Sequence, residues 1–324
     1  MNNKVSIIMY HYVRDLKNSK FPQIKGLDAS LFNEQVNYLQ KHYSFITMDQ
    51  LIDSIDKNTQ LPPKAVLLSF DDGYTDHYNF VLPVLTKNKI QGSFYPPAKA
   101  IMEGIVLDVN KIHFILASIP DKNILIKELN AQLDEYRKQY NLDSNENYYT
   151  RHAVARRRDN AEVIFIKQML QVVLPEELRL VICDHLFNKY VTEDEKAFSR
   201  ELYMNVDQLK ELGQQGMHIG SHGYDHYWLG SLSKEKQQVE IDRSLEFLKL
   251  VGSDTNRWTM CYPYGNYNED TLALLNNRSC KLALTTKTAI AVLDNYKRFE
   301  LPRMDTNEIP VNATAATNTW YENA

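Results

Sequence analysis

Cysteine is scarce: Cys183, Cys261 and Cys280 are the only three in 324 residues, an odd number with no CxxC pair. That excludes a disulfide scaffold and a thiolate zinc cluster and makes a reducing compartment the default. Glycine and proline are sparse too, 11 of each, and with 44% hydrophobic and 24% charged residues this excludes collagen-like, low-complexity and disordered chains. There is no run of about 18 apolar residues, so no membrane span is expected. The first apolar run, Val5–Tyr10, is too short for a secretion signal and is followed at once by His11. A first strand and a cytoplasmic location are the expectations. Nor does one charge dominate: 37 basic against 41 acidic residues leave a net charge of -4, with no global pull toward nucleic acid or anionic membrane. Partners have to be read from sites, and no protein partner is indicated.

What is present is a rhythm. Short apolar runs recur at Val5–Tyr10, Ala65–Phe70, Gln91–Tyr95, Met217–Ser221, Thr259–Tyr262 and Leu282–Thr285, with helical patterns such as Ser30–Lys41 and Lys234–Leu250 between them. Parallel strands with crossover helices follow, either an α/β barrel or a doubly wound sheet. The run Ala65–Phe70 lacks polar alternation, as a strand covered on both faces should. From about Ile101 to Tyr203 the rhythm stops and the chain turns helical and highly charged. The expected organisation is therefore a core at 1–100 and 204–310, a helical insertion at 101–203, and a small, polar, loosely held tail at 311–324. The basic run Arg151–Arg158 within the insertion suits a solvated helix face.

Chemistry-bearing residues collect where strands end. Asp71 and Asp72 close the second strand before Gly73, and neighbours leaving a strand point in opposite directions, so each acid can serve a different partner. An ordinary Asp-Gly turn gives the same string. His222 and His226 follow the fourth strand four residues apart, a spacing that shares a face on a first helical turn. With Asp72 they make two imidazoles and a carboxylate, a ligand set for catalytic zinc. His218, on the strand itself, is read as structural. The fifth strand leads into Cys261-Tyr262-Pro263-Tyr264-Gly265, a proline-fixed turn able to aim a backbone N–H into a site. His11 ends the first strand and Arg303 the last. Ionisable groups at one end of several strands point to one site.

Ser69-Phe70-Asp71-Asp72-Gly73, Ser221-His222-Gly-Tyr-Asp-His226 and Tyr262-Pro263-Tyr264-Gly265, in that order, resemble the motifs of the NodB-like polysaccharide deacetylases, carbohydrate esterase family 4. The resemblance covers about 5–100 and 205–305 and implies a distorted (β/α) barrel that removes acetyl groups from N-acetylated, sometimes O-acetylated, sugars with a divalent metal, Zn²⁺ first. It implies Asp71 as general base, Asp72, His222 and His226 as metal ligands, the Tyr264 N–H as oxyanion donor, and Pro263 and Tyr264 against the substrate. Cys261 stands where the family commonly has the arginine that orients the base, and no histidine follows His226 to serve as the late general acid. In these features the sequence looks like the branch containing the poly-N-acetylglucosamine deacetylases, which implies Arg303 as the orienting residue and His11 as the acid. The expected substrate is an N-acetylated amino sugar or glycan, with a cytosolic nucleotide-linked or lipid-linked precursor favoured by the expectation that no secretion signal is present. Two other readings share the residues: a catalytically silent sugar-binding scaffold, kept open by Cys261, and a non-haem iron oxygenase triad, against which the second aspartate argues.

Overall fold

A computed structural model describes residues 3–156, 159–294 and 297–323. The chain forms two compact units, one of residues 1–15, 26–105 and 199–324, the other of 16–25 and 106–198. Strands in chain order are β1 (Lys4–Tyr10), β2 (Val13–Arg14), β3 (Leu27–Asp28), β4 (Ser44–Phe45), β5 (Ala65–Asp71), β6 (Gly92–Tyr95), β7 (His218–Ile219), β8 (Met260–Cys261), β9 (Ala283–Leu284), β10 (Ala291–Val292) and β11 (Met304–Asp305).

The first unit holds all of them. Its sheet runs β10-β1-β5-β6-β7, with β11 on β1 and β4 on β5. All pairs are parallel except β1 with β10. A parallel bridge from Ser221 to Met260 carries the order from β7 to β8, and β8 pairs with β9. A further bridge from Leu284 reaches Leu301, three residues before β11, which pairs back onto β1 through Ile8 and Met304. The ring is thereby closed: a (β/α) barrel whose strands past β7 are short.

Period-two alternation along β5 decides which way the functional residues face. Val66, Leu68 and Phe70 pack outward with Phe32, Val36 and Leu39 of the helix Ala29–His42. Phe70 stacks on Tyr10 at 5.1 Å and on Phe94 at 4.8 Å between ring centroids. Ala65 and Leu67 point inward, in one cluster with Ile7, Tyr95, Cys261, Leu284 and Leu301. Ser69 and Asp71 share that inward parity, so Asp71 ends its strand facing the barrel interior at the carboxyl end, where barrels carry their sites.

Residues 311–323, anticipated as a loose tail, make defined contacts. Tyr43 donates to Asn318 at 2.6 Å, Tyr321 donates to the Lys4 carbonyl at 3.1 Å, and Trp320 and Tyr321 pack against the core.

The second unit is helical, with helices Asp108–Ser118, Lys122–Tyr140, Asn145–His152, Ala161–Gln168 and Glu176–Tyr190 among its elements. Its core includes Phe21, edge-on to Phe114 at 5.0 Å and to Phe198 at 5.9 Å. The loop 16–25 therefore belongs to this unit, a long-range association that sequence order does not display. The basic run is not one helix face: the helix ends at His152, Arg156 bridges to Asp159, and Arg157 and Arg158 lie outside the described residues.

Candidate active site

Asp71 is buried, 1% exposed, and clasped on both oxygens. Arg303 donates through Nη1 to Oδ1 at 2.9 Å and through Nη2 to Oδ2 at 2.8 Å, a two-pronged pairing that fixes the carboxylate plane. The guanidinium is itself fully buried and oriented by donating through Nε to the Thr285 carbonyl at 2.8 Å and through Nη1 to Ser69 at 3.2 Å. Cys261 Sγ lies 3.5 Å from each Asp71 oxygen. Burial alone would push the Asp71 pKa up, but the charges of Arg303, His222 and His11 hold it at about 2. The carboxylate is thus ionised throughout the neutral range. His11 comes from the end of β1, which pairs with β5, and its Nε2 stands 3.8 Å from Asp71 Oδ2 with the ring 44% exposed.

Asp72 turns the other way because its backbone is left-handed, φ +70°, as is that of Gly73 at +64°. Gly73 is required there: a Cβ would lie 2.7 Å from Pro96 Cβ. The Asp72 N–H donates to the Tyr95 carbonyl at 3.1 Å, and Tyr74 donates to Asp72 Oδ2 at 2.5 Å. Oδ1 is left to face His222 Nε2 at 3.4 Å and His226 Nε2 at 3.5 Å.

His222 and His226 do not sit on a helical turn. Residues 222–228 form a loop in which Gly223, φ +74°, and His226, φ +56°, reverse the chain and set the rings edge to face at 4.8 Å. His222 Nδ1 donates to the Cys261 carbonyl at 2.8 Å, which commits that nitrogen and leaves Nε2 as the ligand atom. Burial and the neighbouring His222 push His226 down to about 3, keeping it a neutral imidazole. The three ligand atoms lie within 4.8 Å of one another, and buried Asp72 Oδ1 takes no hydrogen bond. Two imidazole nitrogens and an orphaned carboxylate oxygen fit a divalent cation of the zinc type. The grouping Asp71, His222 and Cys261 is equally tight, but Asp71 is engaged on both oxygens by Arg303.

Pro263 and Tyr264 lie in a short 3₁₀ turn, with Tyr264 left-handed at φ +57°. The Tyr264 ring stands edge-on to His226 at 4.8 Å and stacks on Trp228 at 4.3 Å, interplanar angle 7°. His218 stays away from the ligand set and bonds Thr259 Oγ1 through Nε2 at 2.8 Å.

The structure brings Asp71, Asp72, His11, His222, His226, Tyr264 and Arg303 to one end of one barrel. Sequence reasoning missed Tyr74, Thr285 and Trp228. Tyr74 had a signal, a tyrosine two residues after a ligand carboxylate, whereas Thr285 acts through its carbonyl and has none.

Residues 58–120 and 188–282 match the family model described as polysaccharide deacetylase. The first segment contains Asp71 and Asp72 and the second His222, His226 and Tyr264, while His11 and Arg303 fall outside both. YxkH of Bacillus subtilis (strain 168), a protein named for polysaccharide deacetylase, is 31% identical over 100 residues, covering 31% of this chain and 35% of the relative. The match thus spans about a third of that relative's length. Among solved structures, Streptococcus pyogenes deacetylase PplD in complex with acetate superposes with a TM-score of 0.58 at 18% identity, over 100% of this chain and 97% of that one. A de-N-acetylase from Aggregatibacter actinomycetemcomitans gives a TM-score of 0.55 at 17% identity, over 99% of each chain. With the ordered motifs on a closed parallel barrel, the chain shares the (β/α) barrel fold of these solved deacetylases and matches the polysaccharide deacetylase model over its two motif-bearing segments.

Proposed function

We propose that this domain removes the acetyl group from an N-acetylated amino sugar or glycan, releasing acetate. The observation that carries the reading is the pairing of Asp71, clamped by Arg303, with the adjoining Asp72, His222 and His226 ligand set. The two superposed proteins, a deacetylase in complex with acetate and a de-N-acetylase, favour the same acyl group.

In this reading Asp72, His222 and His226 hold a divalent cation, zinc by their donor set, which when bound supplies Lewis-acid polarisation of the acyl carbonyl and a water of lowered pKa. Asp71 accepts the proton of the attacking water. Its Oδ1 and Oδ2 are fixed, so the accepting lone pair has one direction, and no rotamer search precedes proton transfer. The Tyr264 N–H is the donor to the developing oxyanion, and one such donor is worth about 3 kcal/mol of transition-state stabilisation. The backbone geometry that aims it is the left-handed turn after Pro263. Pro263 and the Tyr264–Trp228 stack form the wall beside the acyl group. His11, exposed at the rim and within ion-pair distance of Asp71, delivers the proton to the leaving amine.

Acetate release from N-acetylated sugars, nucleotide sugars and oligosaccharides, measured on chelated protein and again after zinc is restored, tests this. Release that depends on zinc is expected. Full release by the chelated protein would overturn the ligand-set role, and no release from any substrate with zinc bound would overturn the acyl group or the sugar class. His11→Ala is expected to lose about 10²-fold or more in kcat/KM and to lose the basic limb of the pH profile, because the proton donor is gone. An unchanged rate and profile would place the acid elsewhere.

A further inference from the structure

The loop that carries His226 is held from outside the barrel by a residue with no part in the chemistry above. Glu240 lies on the helix Lys234–Leu250 and is 6% exposed. One of its oxygens, Oε2, accepts from the Tyr224 N–H at 3.1 Å and from the Asp225 N–H at 2.9 Å. Those two amides lie between the ligands His222 and His226. The same two-residue stretch is fastened on its other side, where Ala98 and Lys99 donate their N–H groups to the Gly223 and Tyr224 carbonyls at 3.4 and 2.8 Å. The Lys99 ammonium pairs with the Asp225 carboxylate. One turn along the helix, Ser244 accepts from Ser221 at 2.8 Å, and Ser221 Oγ in turn accepts from the Gly223 N–H at 3.1 Å.

A carboxylate is costly to bury, and this one is placed where the helix would otherwise carry an apolar residue. Its return is the turn itself. His226 is left-handed at φ +56°, a conformation that is unfavourable for a non-glycine residue and persists only when the surroundings enforce it. Without an acceptor at Glu240, the buried Tyr224 amide and the half-buried Asp225 amide would lose this partner. The turn would relax, and His226 Nε2 would leave its place beside Asp72 Oδ1.

We infer that Glu240 is the positioning residue that holds the His222–His226 turn closed and thereby sets the cation affinity of the site. The inference rests on the ligand-set reading above. It locates a determinant of metal binding on the outer face of the barrel, beyond the motif that contains the ligands.

The test is zinc affinity of the full chain by chelator competition, together with the visible spectrum of the cobalt form, for wild type, His222→Ala, Glu240→Ala, Glu240→Asp and Glu240→Gln. Glu240→Ala and Glu240→Asp, the second with its acceptor withdrawn by one methylene, are expected to weaken zinc by about 10- to 100-fold and to alter the cobalt bands. Glu240→Gln, whose amide oxygen can still accept both N–H groups, should stay close to wild type. The Asp variant decides the matter if the Ala variant does not fold. Wild-type zinc binding that His222→Ala leaves intact would overturn the ligand set itself. Binding lost in His222→Ala but unchanged in the folded Ala or Asp variants of Glu240 would overturn this inference alone.

Discussion

Asp71→Asn should bind zinc as wild type does and release acetate about 10²- to 10⁴-fold more slowly, whereas His222→Ala should lose zinc and turnover together. The separation follows from the turn of the backbone at Asp72. Asp71 faces inward with the β5 parity and touches Arg303, while Asp72 is left-handed and faces the two imidazoles. Removing the charge of Asp71 deletes the proton acceptor and leaves the ligand atoms in place. Removing the His222 ring deletes a ligand nitrogen and also the donor that occupies the Cys261 carbonyl. Zinc content by mass spectrometry or chelator competition, beside initial rates of acetate release, separates the two. An Asp71→Asn protein that turns over at the wild-type rate would remove Asp71 as base.

Arg303→Leu should have the largest effect on stability. Arg303 is fully buried and Asp71 nearly so, and deleting one partner of a buried pair leaves an uncompensated charge, at a cost of about 3–5 kcal/mol. Arg303→Lys should recover only part of this, because an ammonium cannot form the two parallel bonds that a guanidinium makes to both carboxylate oxygens. The double variant Asp71→Leu with Arg303→Leu, which removes both charges, should be more stable than Arg303→Leu alone. Denaturant midpoints across this cycle measure the coupling. A single Arg303→Leu variant with an unchanged midpoint would show that Asp71 is held by something else. Turnover should fall along with stability in Arg303→Leu, since Cys261 Sγ, 3.5 Å from either oxygen, does not replace a guanidinium.

Arg303 stands 232 residues from Asp71, and the sequence shows only an arginine near the end of a late strand. Cys261 is visible in the sequence as a departure from the family pattern, but it is the pairing of β11 with β1 and of β1 with β5 that brings the Arg303 guanidinium to Asp71. His11 was brought near Asp71 by the same pairing. The His222–His226 segment departs from its spacing: four residues suggest a shared face on a helical turn, but the structure has a loop with two left-handed residues. Local spacing cannot reveal that, because the loop's backbone groups find their partners far away in the chain: its carbonyls accept from the Ala98 and Lys99 N–H groups and its amides donate to Glu240.

By itself the sequence determined the strand-and-helix rhythm, the helical character of the long interruption, the opposite directions of Asp71 and Asp72, and which residue types at the strand ends are able to bind a cation and move a proton. Each of these depends on the order of side chains along a few adjacent positions, where backbone periodicity and donor chemistry act directly. Only the tertiary structure decided which arginine clamps Asp71, which way Asp72 turns, that Phe21 joins the helical core, and that the His226 turn is fastened to a helix outside the barrel. Those depend on contacts between residues far apart in the chain, whose distances are set by barrel closure and by which buried polar groups find partners.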